Sequence, residues 1–96
     1  MHVDFGAAIK ALKEGKRVTR EGWNGKGMFL MLAGGYSVPK DNLRPGTHIT
    51  AEFLKSQGVE EMVIAPHIDM WTAQKTYLSG WLASQTDMLA EDWIIL

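Results

Sequence analysis

The chain has 96 residues, enough for one small domain (1–96) and not two. Ten Lys and Arg against eleven Asp and Glu leave a formal net charge of −1, too balanced for a dedicated binder of DNA or RNA backbones, although Lys10, Lys13, Lys16, Arg17 and Arg20 form a local basic cluster. Cysteine is absent, which excludes disulfides, thiolate nucleophiles and zinc–thiolate sites, and neither a signal-peptide layout nor an apolar run of bilayer length is visible, so a cytosolic protein is the default expectation.

Asp4 precedes Phe5, Ala8, Ile9 and Leu12, which recur at helical spacing. With Asp4 as N-cap, Gly15 just past the C-cap, and Lys10 and Lys13 at the negative end of the dipole, the pattern predicts an amphipathic helix over 5–14. Residues 17–20 follow as a short strand. Gly22, Gly25 and Gly27 predict a turn or loop over 21–27. The apolar run from Met28 to Leu32 predicts a central strand. Residues 33–48, with Gly34, Gly35, Pro39, Pro45 and Gly46, predict a long polar loop.

Thr50 caps a short helix to about Gln57, ended by Gly58. Residues 62–64 and 67–71 predict strands. In the second, Ile68 and Met70 make an aliphatic face, and His67, Asp69 and Trp71 a polar-aromatic one turned to solvent or an interface. Residues 76–78 return as a hairpin partner through a turn near 73–75. Ser84 and Asp87 read as a capping pair. Met88, Leu89 and Ala90 give that helix a buried side, and residues 93–96 predict a buried strand. The sum is a small single-domain α+β fold: an N-terminal helix, a mostly antiparallel sheet and short late helices.

Two segments carry chemistry. Trp23-Asn24-Gly25-Lys26-Gly27 offers an indole platform, backbone N–H groups unobstructed by side chains, and a cation; its spacing does not fit the nucleotide-binding loop Gly-x4-Gly-Lys-Ser/Thr. Trp81 stands beside Ser84, Gln85, Thr86 and Asp87, a pairing of aromatic face and hydrogen-bonding groups that suits a nucleobase and its sugar. Asp87 in the first helical turn occupies the positive dipole end, so phosphate belongs nearer Arg20, Lys26 or Arg44. Trp71 is a further aromatic candidate, while Trp93 reads as core. His67 and Asp69 stand about 7 Å apart along a strand, too far for a direct hydrogen bond without bending, and too few for a metal site. No nucleophile elbow surrounds Ser84. No catalytic residue, metal or cofactor is expected.

The pattern Asp4-Phe5-Gly6, Ala8-Ile9, Leu12, Gly15, Val18, Arg20 and Gly22-Trp23-Asn24-Gly25-Lys26-Gly27-Met28 resembles the opening of the second type of Thoeris anti-defence protein, a phage family. The resemblance resumes at Pro66-His67-Ile68-Asp69-Met70 and at Trp81, Ala83-Ser84-Gln85, Asp87-Met88-Leu89-Ala90 and Asp92-Trp93. Residues 33–61 resemble the variable middle of the family, from which no ligand contact is carried over.

The resemblance implies a non-enzymatic molecular sponge in the cytoplasm of an infected bacterial host. Such a protein holds a glycocyclic ADP-ribose signal intact, and some members also hold cyclic trinucleotides at separate sites. It implies a homotetramer with ligand pockets between protomers, and no DNA or membrane partner. On this reading Trp23 with Asn24 is the first choice of aromatic shelf, followed by Trp81 and Trp71. Ser84, Gln85, Thr86 and Asp87 suit sugar or base, and Gly25-Lys26-Gly27 with Arg20 or Arg44 suits phosphate. The competing readings are an enzyme that degrades such a nucleotide, using His67 with Asp69 or Asp87, and a module that inhibits a host protein directly.

Overall fold

A computed structural model describes residues 1–24, 26–44 and 46–96. In chain order the elements are helix α1 (Phe5–Lys13), strands β1 (Val18–Arg20), β2 (Phe29–Ala33) and β3 (Tyr36–Pro39), a 3-10 turn (Lys40–Asn42), helix α2 (Ala51–Ser56), strands β4 (Glu61–Ile64), β5 (His67–Trp71) and β6 (Tyr77–Leu78), helix α3 (Gln85–Leu89) and strand β7 (Trp93–Ile95). They form two compact units, residues 1–33 with 67–96, and residues 34–66. The α+β class read from the sequence is the one observed.

In the first unit every strand pairing is antiparallel and the sheet order is β6-β5-β2-β1-β7. Helix α1 starts where the Asp4 carboxylate accepts the Ala7 N–H at 2.9 Å. It ends in a Schellman turn: Gly15, at φ +86°, donates to Leu12 O, and Lys16 donates to Ala11 O, both at 3.0 Å. Its apolar stripe, Ala8, Ala11 and Leu12, packs on Val18, Leu30, Met70 and Trp93 to make the core. Those strand residues share one face by the two-residue alternation. Thr19, Phe29 and Ile94 alternate with them and face away from α1.

In the second unit β3 pairs antiparallel with β4, Tyr36 opposite Ile64 and Pro39 opposite Glu61. Helix α2 is capped by Thr50 Oγ1, which accepts the Phe53 N–H at 3.1 Å, and buries Leu54.

Three expectations need correction. The loop expected over 33–48 contains β3, because Tyr36 to Val38 find partners in β4 that lie far along the chain. Helix α3 has no buried side: Met88 and Leu89 are 39% and 78% exposed, since five residues make little more than one turn and only Ala90 beyond it packs on the core. The C-terminal strand is fully buried only at Trp93, and Leu96 is 54% exposed, because β7 is the sheet edge.

Candidate functional site

The C-terminal segment is fastened to β1 and the loop after it by charge. Arg20 Nε donates to Asp92 Oδ1 at 2.8 Å and its NH2 reaches Oδ2 at 3.4 Å, while NH1 donates to Asp87 Oδ1 at 2.8 Å. The Gly22 N–H also donates to Asp92 Oδ2, at 2.7 Å. A Cβ on Gly22 would stand 2.7 Å from that oxygen, so the close approach requires glycine.

Asp87 completes a capping box with Ser84: its N–H donates to Ser84 Oγ at 3.0 Å, and its Oδ2 accepts from the Ser84 N–H at 3.2 Å and hydroxyl at 2.8 Å. The same carboxylate accepts Trp23 Nε1–H at 3.1 Å, and the Asp87 carbonyl accepts Trp93 Nε1–H at 3.0 Å. Three indoles meet edge-on around this residue, with centroids 5.4 Å apart for Trp23–Trp93, 6.2 Å for Trp81–Trp93 and 6.3 Å for Trp23–Trp81.

These contacts set the carboxyl pKa values. For Asp87 burial pushes upward, but hydrogen bonds from Arg20, Trp23 and Ser84 together outweigh it and hold the group below its ordinary value. For Asp92 the Arg20 hydrogen bond dominates, and the carboxyl again lies below the usual range.

Beside this cluster Glu21, Trp23, Lys26, Gly27 and Met28, with the helix-free face of the sheet, line a cleft of about 520 Å³. Met28, Phe29, Ile94 and Leu96 supply its apolar lining, Trp23 an indole, and Arg17, Arg20 and Lys26 its cations. The Arg17 guanidinium carbon lies 4.7 Å from the Phe29 ring centroid. Glu21 also lines the cleft, with its Oε2 2.5 Å from His2 Nε2.

The cleft gathers Arg20, Trp23, Lys26 and Gly27 among the residues expected from sequence. Gly25 lies outside the described residues. Asn24, Ser84, Gln85 and Thr86 are exposed and do not line the cleft; Trp81 does not line it either and meets Trp23 edge-on, and Trp71 is half-buried on β5 opposite Phe29. Arg44 lines a cavity of about 550 Å³ within residues 34–66, with His48 and Tyr36. Sequence reasoning missed Thr19, Phe29 and Ile94 as cleft residues; their alternation with Val18, Leu30 and Trp93 was the available signal.

Asp69 departs from expectation. It is 2% exposed rather than on an open face: the Tyr77 hydroxyl and the Gly80 N–H (2.7 Å) donate to it, and His67 Nε2 lies 3.3 Å from Oδ1. The 7 Å spacing is a backbone distance, and the imidazole and carboxylate arms close it. Burial raises the Asp69 pKa, and the donors from Tyr77 and Gly80, with His67, more than reverse this. The group therefore fastens the β6 hairpin and the following turn to β5.

Among the described residues no group of three or more His, Asp or Glu is placed to hold a metal ion, and no helix is long and apolar enough to cross a membrane.

Residues 3–96 match the family described as Tad2-like, the Thoeris anti-defense 2-like domain. A relative named Thoeris anti-defense 2, from Bacillus phage SP01, is 37% identical over 94 residues, covering 98% of this chain and 94% of the relative. Both matches span nearly the whole sequence and both carry an anti-defence role: the chain belongs to the Thoeris anti-defense 2-like family.

Proposed function

We propose that the protein is a phage sponge that binds a cyclic nucleotide immune signal, a glycocyclic ADP-ribose, and holds it intact so that the downstream effector stays inactive. The observation that carries this reading is the cleft of about 520 Å³, which sets an indole and a phenyl ring beside Arg17, Arg20 and Lys26. That volume lies within the range of small-molecule sites, and the lining matches an adenine, its sugars and a pyrophosphate. A stoichiometric sponge needs tight binding rather than turnover; nanomolar affinity corresponds to about 12 kcal/mol. The tightly bonded aspartates support a binding role, because Asp87 and Asp69 are saturated with donors and stand below their ordinary pKa, a poor state for a general base.

On this reading the chain works as one signal-sequestering unit in the cytoplasm of the infected host. It assembles as a homotetramer, and a neighbouring protomer closes the cleft. Cyclic trinucleotides are the second ligand class.

The test is incubation with a panel of cyclic nucleotides, removal of excess, heat denaturation, and mass spectrometry of what is released. Unchanged cyclic ADP-ribose isomer at near one equivalent per site is expected. Recovery of cleaved product with turnover would establish the enzyme reading instead. Release of no nucleotide, with a stoichiometric host protein retained in a pull-down, would establish the inhibitory module.

A further inference from the structure

The three cations of the cleft are not equivalent. Arg20 uses Nε, NH1 and NH2 on two carboxylates, and its side chain is only 13% exposed. One positive and two negative charges leave the Arg20–Asp87–Asp92 cluster formally at −1. A phosphate drawing Arg20 toward itself would strand two aspartates and free the Gly22 turn and the Trp23 ring that they hold.

Arg17 stands in the opposite condition. It is exposed, and among the described residues no carboxylate pairs with it or with Lys26. Its backbone is fixed, because Arg17 O accepts the Leu96 N–H at 2.8 Å. The Phe29 ring 4.7 Å from its guanidinium carbon restrains the head group, whose N–H groups meet no acceptor among the described residues. Such a held, uncommitted fork suits two-point recognition of phosphate oxygens. Glu21, whose side chain is the acidic one among the described residues on this lining, is engaged by His2.

We propose that Arg17, restrained by Phe29 and assisted by Lys26, takes the phosphates of a nucleotide carrying a pyrophosphate, and that Arg20 is a positioning residue that holds Asp87, Asp92 and through them Trp23. This rests on the cleft being the ligand site. It moves the phosphate contact from Arg20, which the sequence offered alongside Lys26 and Arg44, to a residue that the sequence marked only as part of a basic cluster.

The experiment titrates protein labelled with 15N at arginine and lysine with inorganic pyrophosphate, following the arginine Nε–H and the Lys26 signals by NMR. Saturable shifts at Arg17 and Lys26, with Arg20 Nε–H unmoved, are expected. Arg17→Met should weaken pyrophosphate about tenfold or more, the loss typical of charge-assisted hydrogen bonds, with an unchanged melting temperature. Arg17→Lys should fall between Arg17→Met and the unaltered protein.

A shift centred on Arg20, no saturable shift at any of the three cations, or unaltered binding by Arg17→Met would overturn the assignment. The nucleotide panel reads the other question separately. Retention of a cyclic nucleotide undiminished in Arg17→Met leaves the sponge and removes the Arg17 assignment. Pyrophosphate binding through Arg17 without uptake of any cyclic nucleotide does the reverse.

Discussion

Asp87 does more than cap a five-residue helix. Its carboxylate joins the helix start, the Arg20 guanidinium and the Trp23 indole, and its carbonyl receives Trp93. Asp87→Ala leaves Arg20 and three further donors, the Trp23 Nε1–H and the Ser84 N–H and hydroxyl, without their acceptor, around a carboxylate only 13% exposed. It should lower stability by about 2–4 kcal/mol, read by urea denaturation, whereas Asp87→Asn, which keeps an acceptor, should lose less.

The pH dependence follows from the same residues. Asp69, Asp87 and Asp92 have folded-state pKa values below their unfolded ones. Their stabilisation is therefore complete above the unfolded carboxyl value of about 3.9 and is lost as pH falls through the lower folded values. The denaturation midpoint should stay level from pH 7 to 5 as far as these groups are concerned and drop steeply below about pH 4. The drop should be shallower in Asp87→Asn. A main loss between pH 7 and 5.5 would show that these three carboxylates do not set the acid limit of stability.

At the scale of elements, short-range chemistry was readable. Asp4 and Gly15 bracket α1, Thr50 starts α2, and Ser84 with Asp87 starts α3, each through hydrogen bonds within a few residues. Ser84→Ala removes one half of the capping box and should destabilise the protein by about 1 kcal/mol, visible as a lower melting temperature. It should also alter the fluorescence of Trp23 and Trp93, which share Asp87. Elements made by distant partners were less readable. Strand β3 is short, lies between Gly34-Gly35 and the 3-10 turn, and has mostly exposed side chains, so no buried alternation announced it.

At the scale of the whole molecule, the ladder explains how residues 34–66 are accommodated. Ala33 and His67 are paired at the end of the β2–β5 ladder, so the chain leaves and re-enters the sheet at neighbouring points. Among the described residues, the seven that make the buried cluster around α1 all lie in 1–33 and 67–96, and Leu54 is buried within 34–66. Replacing residues 34–66 with a two-residue Asn-Gly turn should therefore preserve the five-stranded sheet. The shortened protein should still unfold cooperatively and keep methyl signals shifted by the three clustered indoles. Loss of the cooperative transition would show that the sheet needs the inserted unit.

What the sequence by itself determined was the α+β class, the position of α1, the central strand β2, the helix caps, and the family blocks at the two ends of the chain. All of these depend on periodicity or on partners a few residues apart. Only the tertiary structure decided which polar residues were available to a ligand. Arg20 looked like a phosphate cation until folding brought Asp92, 72 residues away, onto its Nε. Asp69 looked like a surface carboxylate until the β6 hairpin and Gly80 closed over it. The physical reason is that a charge's role depends on what neutralises it and how deeply it is buried, and both are set by contacts between segments that the linear order keeps apart.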